Sequence, residues 1–201
     1  MSKISKTKAV LKGISPNVAV EESELLIGNN KTVTGYHSQE YRPTELTKPI
    51  KSFVNTWLGV GFYFWMEMTY AHYWGQDKKC SGTSKSYDVY KARLKIENCL
   101  NTVFNEEHYL FFKTMIKEAI MYFKSRKMPV TLEKINNYLT EHVWTKHGIE
   151  GIIFDDKPTN PKNKNRIYSE IPDLYYDKRI QIVIFDVKNI SNFELYLEDQ
   201  Q

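Results

Sequence analysis

Four consecutive aromatic residues stand behind a Gly-x-Gly pair in Gly59-Val60-Gly61-Phe62-Tyr63-Phe64-Trp65. Aromatic residues favour a pleated surface, and glycine inside a strand marks a point where a ligand or another backbone comes close. The segment therefore predicts either a strand buried on both faces or a strand that floors a slot for a planar group. Two neighbours belong with it: Gly35-Tyr36-His37-Ser38 upstream, and Ala71 and Trp74 at helical spacing downstream.

A chain of 201 residues suits one domain, which buries roughly 70% of the surface its unfolded form exposes. Cys80 and Cys99 make neither a disulfide framework nor a zinc site, which points to a reducing cytoplasm. His72, His108, His142 and His147 fall on predicted helices or their ends without ligand spacing, so no metal is expected. The run Trp57–Met66 is about half the length of a membrane span, and the first residues lack a signal-peptide core, so no membrane is expected. Lys and Arg number 28 against 24 Asp and Glu, a mild basic bias that by itself identifies no partner.

Residues 1–30 alternate Lys3, Lys6, Lys8 and Lys12 with Glu21, Glu22 and Glu24 without periodicity, and read as a loosely ordered arm before a domain over 31–201. Thr32–His37 reads as a strand. Proline near a helix start and the spacing of Ile50, Phe53, Val54 and Trp57 predict a short amphipathic helix over 47–57, leading into a strand over 59–65. Met66–Gly75 reads as helical, 78–86 as a loop, and Tyr87–Ile96 as a half-buried strand. Tyr109, Phe112, Met115, Ile116, Ala119, Ile120 and Phe123 make one stripe of period 3.6, a helix between Asn105 and Arg126. A second helix starts at the Thr131 N-cap and runs through Ile135, Tyr138, Leu139 and His142. Strands over 151–154 and 180–186 follow, separated by a loop whose residues 157–166 hold four basic and no acidic side chains.

Three motifs in this order resemble the ADP-ribosyltransferases of the diphtheria-toxin and poly(ADP-ribose) polymerase type. That family carries His on a first strand, Tyr on a second, and Glu or a substitute at the start of a late one; here these fall on His37, Tyr63 and Gln181. Relatives commonly read G-x-G-[IF]-Y-F on the second strand, followed by small and aromatic residues such as Ala71 and Trp74. Their late strand runs polar, four apolar, Asp, then an aliphatic four further on, as Gln181, Ile182 to Phe185, Asp186 and Ile190 do. The resemblance covers about Thr32 to Tyr196 and implies an α+β fold: split, strongly bent antiparallel β-sheets forming an NAD+ cleft, with the two helices of 105–145 packed outside.

The resemblance also implies roles, with NAD+ as co-substrate. His37 would bond the nicotinamide ribose, and the backbone of Ser38, where relatives usually have Gly, would meet the carboxamide. Gly61 would line the pocket, Tyr63 would stack on the nicotinamide, and Trp74 would form a second wall. Gln181 stands where a carboxylate accepts the ribose 2′-hydroxyl and favours the developing cation. An amide oxygen can accept that bond but adds no charge, which implies mono- rather than poly-ADP-ribosylation. Glu150, Asp155, Glu170 and Asp173 are nearby acids that read as surface charges.

Relatives place an acceptor-recognition loop just before the late strand, which makes Tyr175, Tyr176 and Arg179 candidate acceptor contacts. Lys162, Lys164 and Arg166 could follow a phosphate backbone. The acceptor is thus expected to be a macromolecule, protein or nucleic acid, RNA included. The small chain reads as a cytoplasmic toxin or anti-phage effector, with the N-terminal arm as the place for an inhibitory, antitoxin-like partner. Three other readings remain: an NAD+ glycohydrolase, an inactive module that binds NAD+ or ADP-ribose, and an RNA 2′-phosphotransferase. The last suits the chain less well, because Arg42, Arg93, Arg126, Arg166 and Arg179 are scattered.

Overall fold

The computed structural model describes residues 31–53, 56–79, 86–156 and 178–200. The arm over 1–30 and the loop carrying Lys162, Lys164, Arg166, Tyr175 and Tyr176 lie outside these residues. The strands are β1 (Thr32–Glu40), β2 (Phe62–Trp65), β3 (Tyr87–Lys95), β4 (Cys99–Asn101), β5 (Gly151–Asp155), β6 (Ile180–Ile184) and β7 (Ile190–Gln200); the helices are α1 (Met68–Trp74), α2 (Glu106–Ser125) and α3 (Leu132–Leu139). The strands form one open sheet in the order β4-β5-β6-β2-β1-β3-β7. Only β4 and β5 run parallel. The protein is α+β.

Among the described residues, one face of the sheet packs without any helix. Phe62, Phe64, Ala92, Leu94, Ile153, Ile180, Ile182 and Ile184 form a single buried cluster with Val33, Ile190 and Phe193, so that all the strands except β4 contribute from one side, and Cys99 adds β4. The sheet has a seam where β1 and β2 share a single residue pair, Tyr36 opposite Trp65. The pair of sheets expected from the sequence is therefore one seven-stranded sheet, nearly divided between β1 and β2.

The opposite face carries the helices. α2 and α3 cover the β4-β5-β6 side through Phe112, Ala119 and Leu139 on Leu100, Ile152 and Val183, while α1 lies across the seam, with Tyr70 and Ala71 on Trp65 of β2 and Val89 of β3. Capping places the two larger helices: the Asn105 side chain accepts from His108 N, and that of Thr131 from Lys134 N. α3 continues into a π-helical turn over Thr140–Trp144.

The helix expected over 47–57 does not form; the described residues from 47 to 53 are irregular. Ser52 N donates to Gly61 O at 2.8 Å and Gly61 N to Ser52 Oγ at 3.0 Å, so the segment is committed to the start of β2. Phe53, read as part of the buried face, is 81% exposed. The β2 strand itself begins at Phe62, because Gly59 adopts φ +92° and turns the chain before it.

Candidate active site at the seam of the sheet

Hydrogen-bond alternation fixes where the backbone of β1 points. Ile96 N donates to Lys31 O (2.9 Å) and Tyr41 N to Ser86 O (3.1 Å), and these bonds bracket an unbroken register from Thr32–Lys95 to Glu40–Tyr87. Odd residues of β1 are thus turned to β3, and even residues, Tyr36 and Ser38 among them, turn their N–H and C=O to β2. On β2, Met66 N donates to Ile180 O (3.0 Å), which by the same alternation turns Tyr63 and Trp65 to β1. Tyr36 and Trp65 meet. The next facing pair, Ser38 and Tyr63, does not join the ladder.

His37 fills part of that interruption. Its Nδ1 lies 2.7 Å from Tyr63 O, and because a carbonyl only accepts, the proton sits on Nδ1. The ring itself lies on the helix-free face, buried beside Phe64 and Phe193 at centroid distances of 5.5 and 6.3 Å. Ser38 is buried, and its hydroxyl donates to Ala71 O, tying α1 to the seam.

Cross-strand partners share a face, so Phe154, Gln181, Trp65 and Tyr36 form one row across β5, β6, β2 and β1, on the side the helices flank. Gln181 is the middle of this row and only 5% exposed. Its Oε1 accepts from Trp57 Nε1 at 2.8 Å, and Trp57 packs edge-on against Phe154 at 4.6 Å. An indole N–H can only donate, so the amide is oriented with its oxygen to Trp57 and its NH2 away. Trp74 lies 6.1 Å from Trp65 at the partly exposed end of α1.

Tyr63 shares the face of Gln181, one row along. Its hydroxyl donates to Gly59 O (2.7 Å) and accepts from Leu58 N (3.2 Å), and burial pushes its pKa up, so it stays neutral. Gly61 is explained by a neighbouring strand: a Cβ there would stand 2.5 Å from Val183 Cγ2 and 2.9 Å from Ile184 O. It leaves room for β6.

Arg179 precedes β6 on the same face as Gln181. Its guanidinium lies over the rings of Trp65 (5.3 Å) and Tyr70 (5.6 Å), and Nη2 donates to Asp156 Oδ2 at 3.2 Å. Burial raises the Asp156 carboxyl above its usual range, more than the Arg179 charge lowers it. Trp57, Asp156 and the stacking of Arg179 escape a reading of the sequence. Trp57 stands in a segment whose spacing imitates a helix, and Asp156 looks like a polar strand end. The described residues hold no group of three or more His, Cys, Asp and Glu that could bind a metal, and no helix among them is long and apolar enough to cross a membrane.

A separate open groove of about 590 Å³ lies at the other end of β2 and β6, lined by Lys51, Phe62, Trp144, Glu150, Phe185 and Asp186 among others. Lys188 bridges Glu150 (2.8 Å) and Asp186 (3.2 Å) there and holds both carboxyls below their ordinary values. None of the seam residues lines it. No family model, curated protein or solved structure gives a significant match to this chain.

Proposed function

We propose that this chain is a mono-ADP-ribosyltransferase that moves ADP-ribose from NAD+ to a macromolecular acceptor, with Tyr63 and Gln181 in the roles that the sequence motifs imply and with His37, its ring on the opposite face, fixing the seam through Tyr63 O. The observation that carries the reading is the interrupted ladder at Ser38. A carboxamide needs one donor for its oxygen and one acceptor for its NH2. One even-numbered strand residue facing the interrupted ladder offers both, from rigid backbone, beside a row of aromatic rings that suits a planar heterocycle.

The chemistry asks little more of the site than orientation and a dry wall. As the ribose C1′–N bond lengthens, nicotinamide leaves with the bonding pair as a neutral molecule, and positive charge develops on the sugar. Gln181 brings no charge to oppose it, and its oxygen already accepts from Trp57. Positioning of the acceptor nucleophile thus carries the reaction, which favours a single transfer over chain growth.

The test is incubation with labelled NAD+ and a cell lysate, read separately in the protein and nucleic-acid fractions. A Tyr63→Ala control, with folding checked by far-UV circular dichroism, runs alongside. Label entering one fraction and lost in the control supports the transferase and names the acceptor class. Nicotinamide release without label would make the protein a glycohydrolase, and neither signal would overturn the enzymatic reading. A toxin role predicts that expression of the chain, but not of the variant, arrests bacterial growth.

A further inference from the structure

Two donors on the candidate face have no protein acceptor. The Gln181 NH2 is turned away from Trp57, and no described residue accepts from it, although the side chain is nineteen-twentieths buried. Arg179 Nε is likewise shut from solvent with no acceptor. Arg179 and Gln181 are two residues apart at the start of one strand, on the same side of the sheet, above Trp65. Burying an N–H without an acceptor, as at Arg179 Nε, is costly, and a guanidinium held over Trp65 and Tyr70 keeps its planar fork for two-point recognition of an oxyanion.

We propose that Arg179 and the Gln181 amide form a phosphoryl-binding subsite at the edge of the seam. Asp156 is its internal competitor: the carboxylate occupies Nη2 of the guanidinium at 3.2 Å and stands for the anion while none is bound. The pair is partly buried, at 20% and 24% side-chain exposure, so an entering phosphoryl group meets a cation that water screens only in part. Neither of the two donors can accept a proton from a ligand. The subsite therefore suits a group that is already anionic, whether the diphosphate of a dinucleotide or the phosphate of a nucleic-acid acceptor. No step of the transfer reaction is needed for it.

The experiment reads binding through tryptophan emission of the full chain, since Trp65 lies under Arg179 and Trp57 holds Gln181. The probes are pyrophosphate, ADP-ribose, and one single-stranded RNA with either a 5′-phosphate or a 5′-hydroxyl. Either pyrophosphate and ADP-ribose, or the 5′-phosphate RNA in preference to its 5′-hydroxyl form, are expected to change the emission. Response to pyrophosphate and ADP-ribose alone assigns the subsite to the dinucleotide; a preference for 5′-phosphate RNA assigns it to the acceptor. Arg179→Gln and Gln181→Glu should each weaken the responding probe about tenfold or more, as loss of a charge-assisted bond or a new negative charge requires. Asp156→Asn should tighten it several-fold. That opposite sign separates the subsite from general damage to the fold. The proposal fails if no phosphorylated probe binds, if Arg179→Gln binds as the parent does, or if Asp156→Asn weakens binding with the others. Because NAD+ turnover is not measured, a failed transfer assay with intact binding would remove the transferase and leave the subsite.

Discussion

Gln181 and Tyr63 are held in place by polar contacts to Trp57 and to the turn at Leu58 and Gly59. The Tyr63 hydroxyl serves Gly59 O and Leu58 N in the turn that precedes its own strand. Tyr63→Phe keeps the ring and leaves Leu58 N short of a partner, while Gly59 O keeps the Thr56 hydroxyl, so a loss of about 1 kcal/mol is expected. Urea denaturation measures it, and a change within error would mean that water replaces the hydroxyl. Asp156 gives a prediction of the opposite kind. Its folded pKa is raised by burial, so the native state holds the proton more tightly than the unfolded chain does. Stability from that group is present below the unfolded value, about 4, and is lost as pH rises through the folded one. Asp156→Asn does not titrate; its melting temperature should therefore gain on the parent's between about pH 4 and pH 7. A difference that stays constant over that range would show that pairing with Arg179 outweighs burial.

Elements with their own local signals were legible in the sequence. α2 follows a stripe of period 3.6 and begins at an Asn N-cap with Glu106 and Glu107 in its first turn, and α3 begins at Thr131. The segment 47–53 has a helix-like spacing too, but its backbone is captured by Gly61, a partner that no local pattern announces. β7 was missed for a different reason. Asn192, at φ +50°, shifts the register against β3 by one residue, which breaks the period-2 pattern between Ile190 and Phe193, Leu195 and Leu197. The aromatic strand shows the limit most clearly. Its glycines signalled close approach, and at Gly61 what approaches is β6, so Gly61→Ala must displace backbone at Ile184. A loss of about 1–3 kcal/mol is expected from such overpacking, read as a lower denaturation midpoint. An unchanged midpoint would show that β2 can shift away from β6. Of the candidate site, the three motif residues were legible as an order along the chain. Their distribution over two faces, and the partnership of Gln181 with Trp57, depend on how strands far apart in sequence pair.

At the scale of the whole molecule, the sheet is joined most sparingly where β1 and β2 hold on by one pair. α1 packs across the seam on Trp65 and Val89 but adds no rung between β1 and β2, so a ligand placed there would be the missing rung between two halves of one sheet. Amide exchange tests this directly. His37 and Gln39 turn their N–H groups to β3 and should be protected close to the global limit, whereas Ser38 N–H, between them and equally buried, faces the seam and should exchange faster. Nicotinamide or a non-reactive NAD+ analogue should then slow exchange at Ser38 selectively, and saturating ligand should raise the stability of both halves together, by about 2.7 kcal/mol at a hundredfold excess over Kd. Uniform protection of residues 37–39 without ligand would mean that the ladder is closed in solution. Protection that appears elsewhere on adding the ligand would move the nicotinamide site away from the seam.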